Sequence, residues 1–297
     1  MNETAEGFLE VSRFRFLTLS LVIGFLGISM AFFEGTLQIY QALLALISLL
    51  FMHIAVNSLN VARDFKTGID TETEKTEFSG GVDTLVRERL QYSDALKISF
   101  ISFLIPLPIF IYFGLVHSQF GMTGIAVTAY ILSIGYTDFF TRKGLGEVSA
   151  GIGLGTLSTF YIYYVQSGAI STSATTISLL MFIPTFTLIL LNELPDISVD
   201  RKYGRINIPI LTGKKKSTLI YSLSLVLYDL LVIYIVLNDI VPDIFALTVF
   251  SSFFGLLSFR NLVENNYEID ENTLKLNVIW VHLSFVLAGI GLLATAL

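Results

Sequence analysis

Apolar runs long enough to cross a lipid bilayer recur along this chain. A hydrocarbon core about 30 Å thick requires roughly 20 apolar residues per helix. Runs of that kind fall at roughly residues 14–33, 38–60, 96–116, 120–138, 147–166, 172–194, 217–238, 242–260 and 276–296. They predict an all-α, polytopic membrane protein: nine transmembrane helices in a bundle, with loops capping one end. Nothing between the runs looks like a separate soluble domain, so the chain reads as a single transmembrane domain over 1–297. The first run follows an acidic tail, and no small-residue cleavage site comes after it. That predicts a retained helix, not a cleaved signal peptide.

Composition agrees. Hydrophobic residues make up 54% of the chain and charged residues 14%, against about 25% charged in an ordinary soluble domain. A soluble fold has too little interior for that much apolar surface. There is no cysteine, which excludes a disulfide framework, a thiolate metal site and a cysteine nucleophile. Nothing in the pattern points to nucleic acid.

Charge gives the map an independent check. When the connections are assigned alternately to two sides, one side holds the N-terminal tail and the loops after helices two, four, six and eight. All 18 basic residues fall there. The opposite side offers only Glu34, His117, Asp239 and Asp243 as titratable groups. By the positive-inside rule the basic side is cytoplasmic. The N-terminus and the charged loops are expected inside and the C-terminus outside. The inner loops after helices two and six are the long ones, at roughly 35 and 20 residues, and long loops in a compact domain tend to be functional.

Those two helices end in related segments. Helix two closes with Asn57, Asn60, Asp64, Gly68 and Asp70; helix six closes with Asn192, Pro195, Asp196, Asp200, Arg201 and Lys202. Both carry Asn-x-x-x-Asp and then a further Asp. Asn57, Asn60 and Asp64 share one helical face. Asn192, Asp196 and Asp200 share another if the helix continues, with Pro195 bending the end or starting a new turn. Gly68 is expected to end helix two, so that Asp70 returns from the loop. Both motifs sit at the same membrane face and four helices apart. That suggests a weak internal duplication, helices 1–4 and 5–8, with helix nine added.

Facing each other, the segments would set four carboxylates and two amides around one cavity. So much like charge beside hydrocarbon needs cations among it. All-oxygen donors favour Mg²⁺ over zinc, and Mg²⁺ held by carboxylates completes its shell with water and phosphate oxygens. Arg63, Arg142, Lys143, Arg201 and Lys202 lie in the same loops and would hold the remaining phosphate charge. A phosphate ester with an apolar tail, bound at the membrane boundary, fits that arrangement. The plainer alternative is that these polar residues are interfacial helix caps. It explains either motif alone better than it explains two matching motifs on one face.

The paired motifs resemble the two aspartate-rich motifs of the UbiA superfamily of intramembrane prenyltransferases, and the resemblance spans nearly the whole chain. It is closest to the menaquinone-type (naphthoate) branch, whose Asn, Asp, Gly-x-Asp pattern matches Asn60, Asp64, Gly68 and Asp70. The ubiquinone-type branch has its second Asp where Gly68 stands here. Ser79-Gly80-Gly81-Val82, Tyr136 through Arg142 to Gly144-Leu145-Gly146-Glu147, and Asp200 through Arg205 to Leu211-Thr212-Gly213 are similar to further family signatures.

The resemblance implies transfer of an isoprenyl group from a polyprenyl diphosphate to an aromatic, quinone-precursor acceptor through an allylic carbocation. It implies two Mg²⁺ ions held by Asn60, Asp64, Asp70, Asn192, Asp196 and Asp200, with Asp64 and Asp196 central to catalysis. The diphosphate would lie against Asn60, Arg63, Arg142, Lys143, Asn192, Arg201 and Lys202. The face of Tyr136 could stabilise the cation, or the residue could be an interfacial belt tyrosine. His53, one turn before Asn57, could face the acceptor or be a hydrogen-bonded packing residue. Gly151, Gly153 and Gly155 suit close helix packing. The run Lys214–Lys216 suits an anchor on anionic lipid. Two other readings remain open: prenyl transfer to a glycerol phosphate ether, as in archaeal-type lipid synthesis, and a membrane transporter. Transport would place charge near the bilayer midplane, whereas these acids gather at one face.

Overall fold

A computed structural model describes residues 3–73, 75, 81–117 and 119–294. Its α-helices are α1 (Glu3–Val11), α2 (Leu17–Phe33), α3 (Ile39–Thr67), α4 (Ile69–Glu72), α5 (Tyr92–Leu104), α6 (Pro106–Val116), α7 (Gln119–Asp138), α8 (Gly146–Ala150), α9 (Ser158–Ser167), α10 (Thr172–Leu180), α11 (Phe182–Asn192), α12 (Ile197–Lys202), α13 (Ile208–Thr212), α14 (Lys214–Leu237), α15 (Ser252–Glu264) and α16 (Glu271–Leu293). No strand occurs among the described residues. Ser79 and Gly80, part of the expected Gly-Gly stretch, lie outside the described residues.

Among the described residues, eight segments are long and apolar enough to cross a membrane: 14–33, 39–67, 92–116, 120–138, 172–192, 214–237, 243–264 and 271–293. The protein is therefore a multi-pass membrane protein. The ninth expected span, 147–166, is helical but not a uniform α-helix. Between α8 and α9 the residues Gly151–Leu157 form a π-helical stretch. The segment still runs from one end of the bundle to the other. Glu147 Oε1 accepts from Ile208 N at one end (2.6 Å), and Gln166 Oε1 accepts from Gln38 N at the other (3.4 Å).

Prolines bend two spans. Pro106 has no N–H to donate, and the chain breaks between α5 and α6 at Ile105. Pro184 lies within the first turn of α11, just after the break at Met181, where its missing donor costs little. Several helices also outrun the expected spans. The most consequential is α3, which continues past residue 60 to Thr67 and so keeps Asp64 on the helix. Gly68 stops it in the left-handed region (φ 87°), with its N–H returning to the Asp64 carbonyl at 3.0 Å.

Contacts at one end tie together the segments assigned to the basic side. Glu10 of α1 pairs with Arg89. Arg63 pairs with Asp138 at the end of α7 (2.9 Å), and Lys202 of α12 with Glu72 of α4 (2.6 Å). Ile206 N donates to the Thr141 carbonyl (2.8 Å), and Lys214 pairs with Glu268. The opposite end is fastened by Glu34, which accepts hydrogen bonds from Tyr163, Ser171 and Ser173.

Close helix approach depends on small residues, because lipid gives apolar side chains little reason to prefer one another. A Cβ on Gly155 would lie 2.5 Å from the Met181 carbonyl oxygen, a backbone atom that cannot rotate away. Gly155→Ala is expected to lower thermal stability in detergent, by about 1–3 kcal/mol for an overpacked contact. Gly124→Ala on α7, where a Cβ meets nothing within 4 Å, is the control and should leave stability undiminished. Equal melting of both variants and wild type would contradict the packing at Gly155.

Candidate active site

The two aspartate-rich segments meet at one cavity of about 270 Å³. Asn60 and Asp64 reach it from α3, and Asp70 from α4. Asn192 comes from the last residue of α11, Asp196 from the turn after it and Asp200 from α12. The second segment does not continue as a straight helix. It breaks over Glu193–Asp196, where Pro195 stands, and restarts as α12 behind Asp196, whose carbonyl accepts from Asp200 N (2.8 Å). The break still leaves Asn192, Asp196 and Asp200 facing the same space.

Arg205 joins the halves. Its guanidinium pairs with Asp64 through Nη2 and with Asp200 through Nη1 (3.2 Å), and its side chain is largely buried. Asn207 Nδ2 donates to Asp200 Oδ2 (3.1 Å) and to Glu193 Oε2 (2.9 Å). Arg13, held in the left-handed region (φ 48°) between α1 and the first span, donates from Nη2 to Asn60 Oδ1 (3.1 Å). Asn60 Nδ2 donates to Thr137 Oγ1 (3.4 Å), beside Tyr136, which lines the cavity at the same end of α7. Asn57, expected on the same face, anchors the chain before the first span by donating to the Ser12 carbonyl (3.0 Å).

Two arginines do not balance this many carboxyls. Burial, with the Asp64 charge beside it, pushes Asp70 up to about 7. Burial and the Asp200 charge push Asp196 up to about 7. Glu193 is raised well above the usual carboxylate range by burial and by Asp200. Two buried oxygens, Asp70 Oδ2 and Asn192 Oδ1, have no hydrogen-bond partner among the described residues. Buried polar atoms left in that condition are costly. Among the described residues no three carboxylate or imidazole groups converge as a ready metal site. Arg205, standing between Asp64 and Asp200, occupies that position as the cation.

The expected basic clamp is placed differently. Arg63, Arg142, Lys143, Arg201 and Lys202 do not line the cavity. Arg63 is held by Asp138 and Lys202 by Glu72; Arg201 donates to the Ile210 carbonyl (3.1 Å). Arg142 and Lys143 are exposed. The reason is local geometry. With Asp200 turned inward on α12, the next two residues project outward. The chain then reverses through Tyr203 and Gly204 and carries Arg205 back in. The spacing in Asp200-Arg201-Lys202-Tyr203-Gly204-Arg205 shows basic residues near an acid but does not rank them. Arg13 gave no pattern signal, because its orientation comes from a non-helical turn.

Beyond the charged end the cavity is apolar, walled by residues such as Leu49, Met52, Phe110, Ile125, Leu132 and Leu188. His53 and His282 also line it. Across the charged mouth, α4 and α12 are latched together. Glu72 accepts from Lys202 Nζ (2.6 Å) and from the Tyr203 hydroxyl (2.8 Å). The site thus offers a carboxylate-rich head and an apolar body in one continuous space.

Comparison with known proteins gives this arrangement a family. Residues 16–294 match the UbiA prenyltransferase family. A 1,4-dihydroxy-2-naphthoate octaprenyltransferase of Bacillus subtilis is 29% identical over 214 residues, covering 69% of this chain and 66% of that protein. The chain thus matches just under two thirds of that relative's length. Among solved structures, a UbiA homologue from Archaeoglobus fulgidus bound to GPP and Mg²⁺ shares the fold with a TM-score of 0.64 at 15% identity. That match covers 95% of this chain and 99% of the other. A digeranylgeranylglyceryl phosphate synthase superposes with a TM-score of 0.64 at 18% identity, covering 99% of each chain. With the family matched over nearly its full length, and the two aspartate-rich helix ends facing one cavity, this chain belongs to the UbiA prenyltransferase family.

Proposed function

We propose that this protein is a Mg²⁺-dependent prenyltransferase. It would move an isoprenyl group from an allylic diphosphate to an aromatic, quinone-precursor acceptor of the dihydroxynaphthoate kind. The observation that carries this reading is the shape of the cavity: paired aspartate segments at its mouth and an apolar body behind them. A ligand with a polyanionic head and a hydrocarbon tail matches both ends. The naphthoate enzyme among the relatives and the run Asn60, Asp64, Gly68, Asp70 support the aromatic acceptor. An acceptor bearing its own phosphate would want a further basic pocket. The two arginines that line the cavity, Arg13 and Arg205, are already engaged by Asn60 and by the carboxylates.

The residues fit Mg²⁺. The donors are all oxygen, and Asp70 Oδ2 and Asn192 Oδ1 are buried without partners among the described residues. Asn60, Asp64, Asp70, Asn192, Asp196 and Asp200 would hold the metal. When bound, Mg²⁺ neutralises the diphosphate and stabilises it as a leaving group. Arg205, relieved of its carboxylates, would turn to the phosphate oxygens, where a planar guanidinium binds well. Tyr136 would present its ring to the allylic cation from the end of α7. The apolar walls would keep water from quenching that cation. The latch between α4 and α12 would close over the diphosphate.

The test is transfer in detergent from a labelled prenyl diphosphate with Mg²⁺, offered dihydroxynaphthoate, hydroxybenzoate and a prenylglycerol phosphate. Transfer to dihydroxynaphthoate is expected. Asp64→Asn and Asp196→Asn should each lose about 100-fold or more, a barrier increase of about 3 kcal/mol. Transfer to the glycerol phosphate alone would overturn the aromatic assignment. Folded wild type that neither transfers to any acceptor nor binds the diphosphate would overturn the function.

Carboxyls that titrate near 7 must give up their protons to bind a metal. Calorimetric titration with Mg²⁺ in buffers of different ionisation enthalpy is expected to show proton release. It should be largest below pH 7, where Asp70 and Asp196 are mostly protonated, and should fade above pH 8. Asp70→Asn should reduce it. Release that is unchanged from pH 6 to pH 9 would contradict the assignment.

A further inference from the structure

His53 and His282 line the same cavity but are bound differently. His282 uses both ring nitrogens within the protein, with Nδ1 2.8 Å from the Val278 carbonyl and Nε2 3.0 Å from Thr18 Oγ1. It is a packing histidine. His53 uses one. Its Nδ1 lies 2.8 Å from Ser20 Oγ on α2, and Ser20 is fully buried. Among the described residues no hydrogen bond reaches His53 Nε2. That nitrogen is free to meet a ligand in the cavity that His53 lines.

His53 also stands at a useful depth. It lies on the cavity side of α3, eleven residues before Asp64. At 1.5 Å per residue that is about 16 Å along the helix axis. A diphosphate at the carboxylate end, the first carbon of its prenyl chain and one aromatic ring fill a length of that order. Phe16, Met52, Val56 and the Tyr161 ring line the same cavity, with the amide of Asn57 one turn along α3 and Arg13 toward the charged end. Such a wall suits a flat ring that brings a single polar edge.

Resting on the prenyl-transfer reading above, we propose that His53 is the acceptor-side catalytic residue. Its Nε2 takes the hydroxyl proton of a hydroxylated aromatic acceptor, while Ser20 fixes the imidazole through Nδ1. As the O–H proton passes to Nε2, its electron pair shifts into the ring. The carbon–oxygen bond at the first prenyl carbon has broken with its electron pair on the diphosphate, and a ring carbon bonds to the resulting allylic cation. The hydrogen on the substituted ring carbon then departs as a proton to the diphosphate. The ring regains aromaticity, and His53 returns its proton to the ring oxygen.

The test compares His53→Ala and His53→Gln with wild type in Mg²⁺-containing detergent, using labelled prenyl diphosphate and dihydroxynaphthoate. Both acceptor transfer and acceptor-independent diphosphate hydrolysis are measured. Positioned proton acceptors contribute about 10²–10⁴-fold, so kcat for transfer should fall at least about 100-fold in both variants. KM for the prenyl diphosphate should hold, and the ratio of transfer to hydrolysis should drop. A series of acceptors with increasingly acidic hydroxyls should recover the rate in His53→Gln, because such hydroxyls need less help to lose the proton. Ser20→Ala should fall between wild type and His53→Gln. Wild-type transfer rates in His53→Gln would overturn the assignment while leaving the prenyltransferase reading intact. So would parallel loss of hydrolysis and transfer with no response to acceptor acidity. Wild-type protein that binds the diphosphate but transfers to no hydroxylated acceptor would overturn both.

Discussion

The carboxylates at the end of this bundle repel one another, and most of the surrounding architecture can be read as a response to that repulsion. Asp64 and Asp200 come from helices far apart in sequence, yet one guanidinium, that of Arg205, pairs with both. A buried ion pair of this kind is no great source of stability by itself. Its consequence is registry. With Arg205 between them, the end of α3 and the start of α12 cannot slide apart without exposing unpaired charge. Asp70 and Asp196 meet the same problem by holding protons up to about pH 7. Balance by two arginines and shared protons would let the cluster exchange them for metal cations.

That exchange suits a reaction at a membrane boundary. The charged head of the cavity lies where the basic loops converge, and the apolar body runs back among α3, α7 and α11. The separation follows from helix lengths. Because α3 runs on to Thr67 before Gly68 stops it, Asp64 and Asn60 stay on a rigid helix. A helix holds catalytic groups more tightly than a loop does. The opposing segment gains its geometry from a break: Pro195 ends one helix, and α12 restarts with Asp200 facing in.

Much of this was legible in the sequence. Long apolar runs, separated by loops whose basic residues all fell on one side, fixed the helical membrane class and the shared face of the two motifs. That Asn60, Asp64, Asp70, Asn192, Asp196 and Asp200 share one cavity was legible because Asn-x-x-x-Asp at a helix end constrains direction through the helical repeat. The basic partners were not found, for the same reason reversed. Arg13 and Arg205 are aimed by a left-handed residue and a chain reversal, and neither leaves a periodic trace. Arg63, Arg201 and Lys202 carry the right charge beside the right acids but project away from the cavity. The span at 147–166 was legible as apolar, but its π-helical stretch was not. Within that stretch Gly151 and Gly155 lie close against Phe182 and Met181, contacts between segments that the local pattern does not record.

On the proposed function, both aspartate segments would hold Mg²⁺ and one diphosphate, and Arg205 would leave the carboxylates. The most direct test is an experimental structure with Mg²⁺ and a non-hydrolysable prenyl thiodiphosphate. Metal density is expected between Asn60 and Asp64 on one side and Asn192, Asp196 and Asp200 on the other. Also expected are the Arg205 guanidinium on the diphosphate and the prenyl chain in the apolar cavity. A diphosphate bound elsewhere, or one bound beside an Arg205 still paired with Asp64 and Asp200 and with no metal between the segments, would contradict this arrangement.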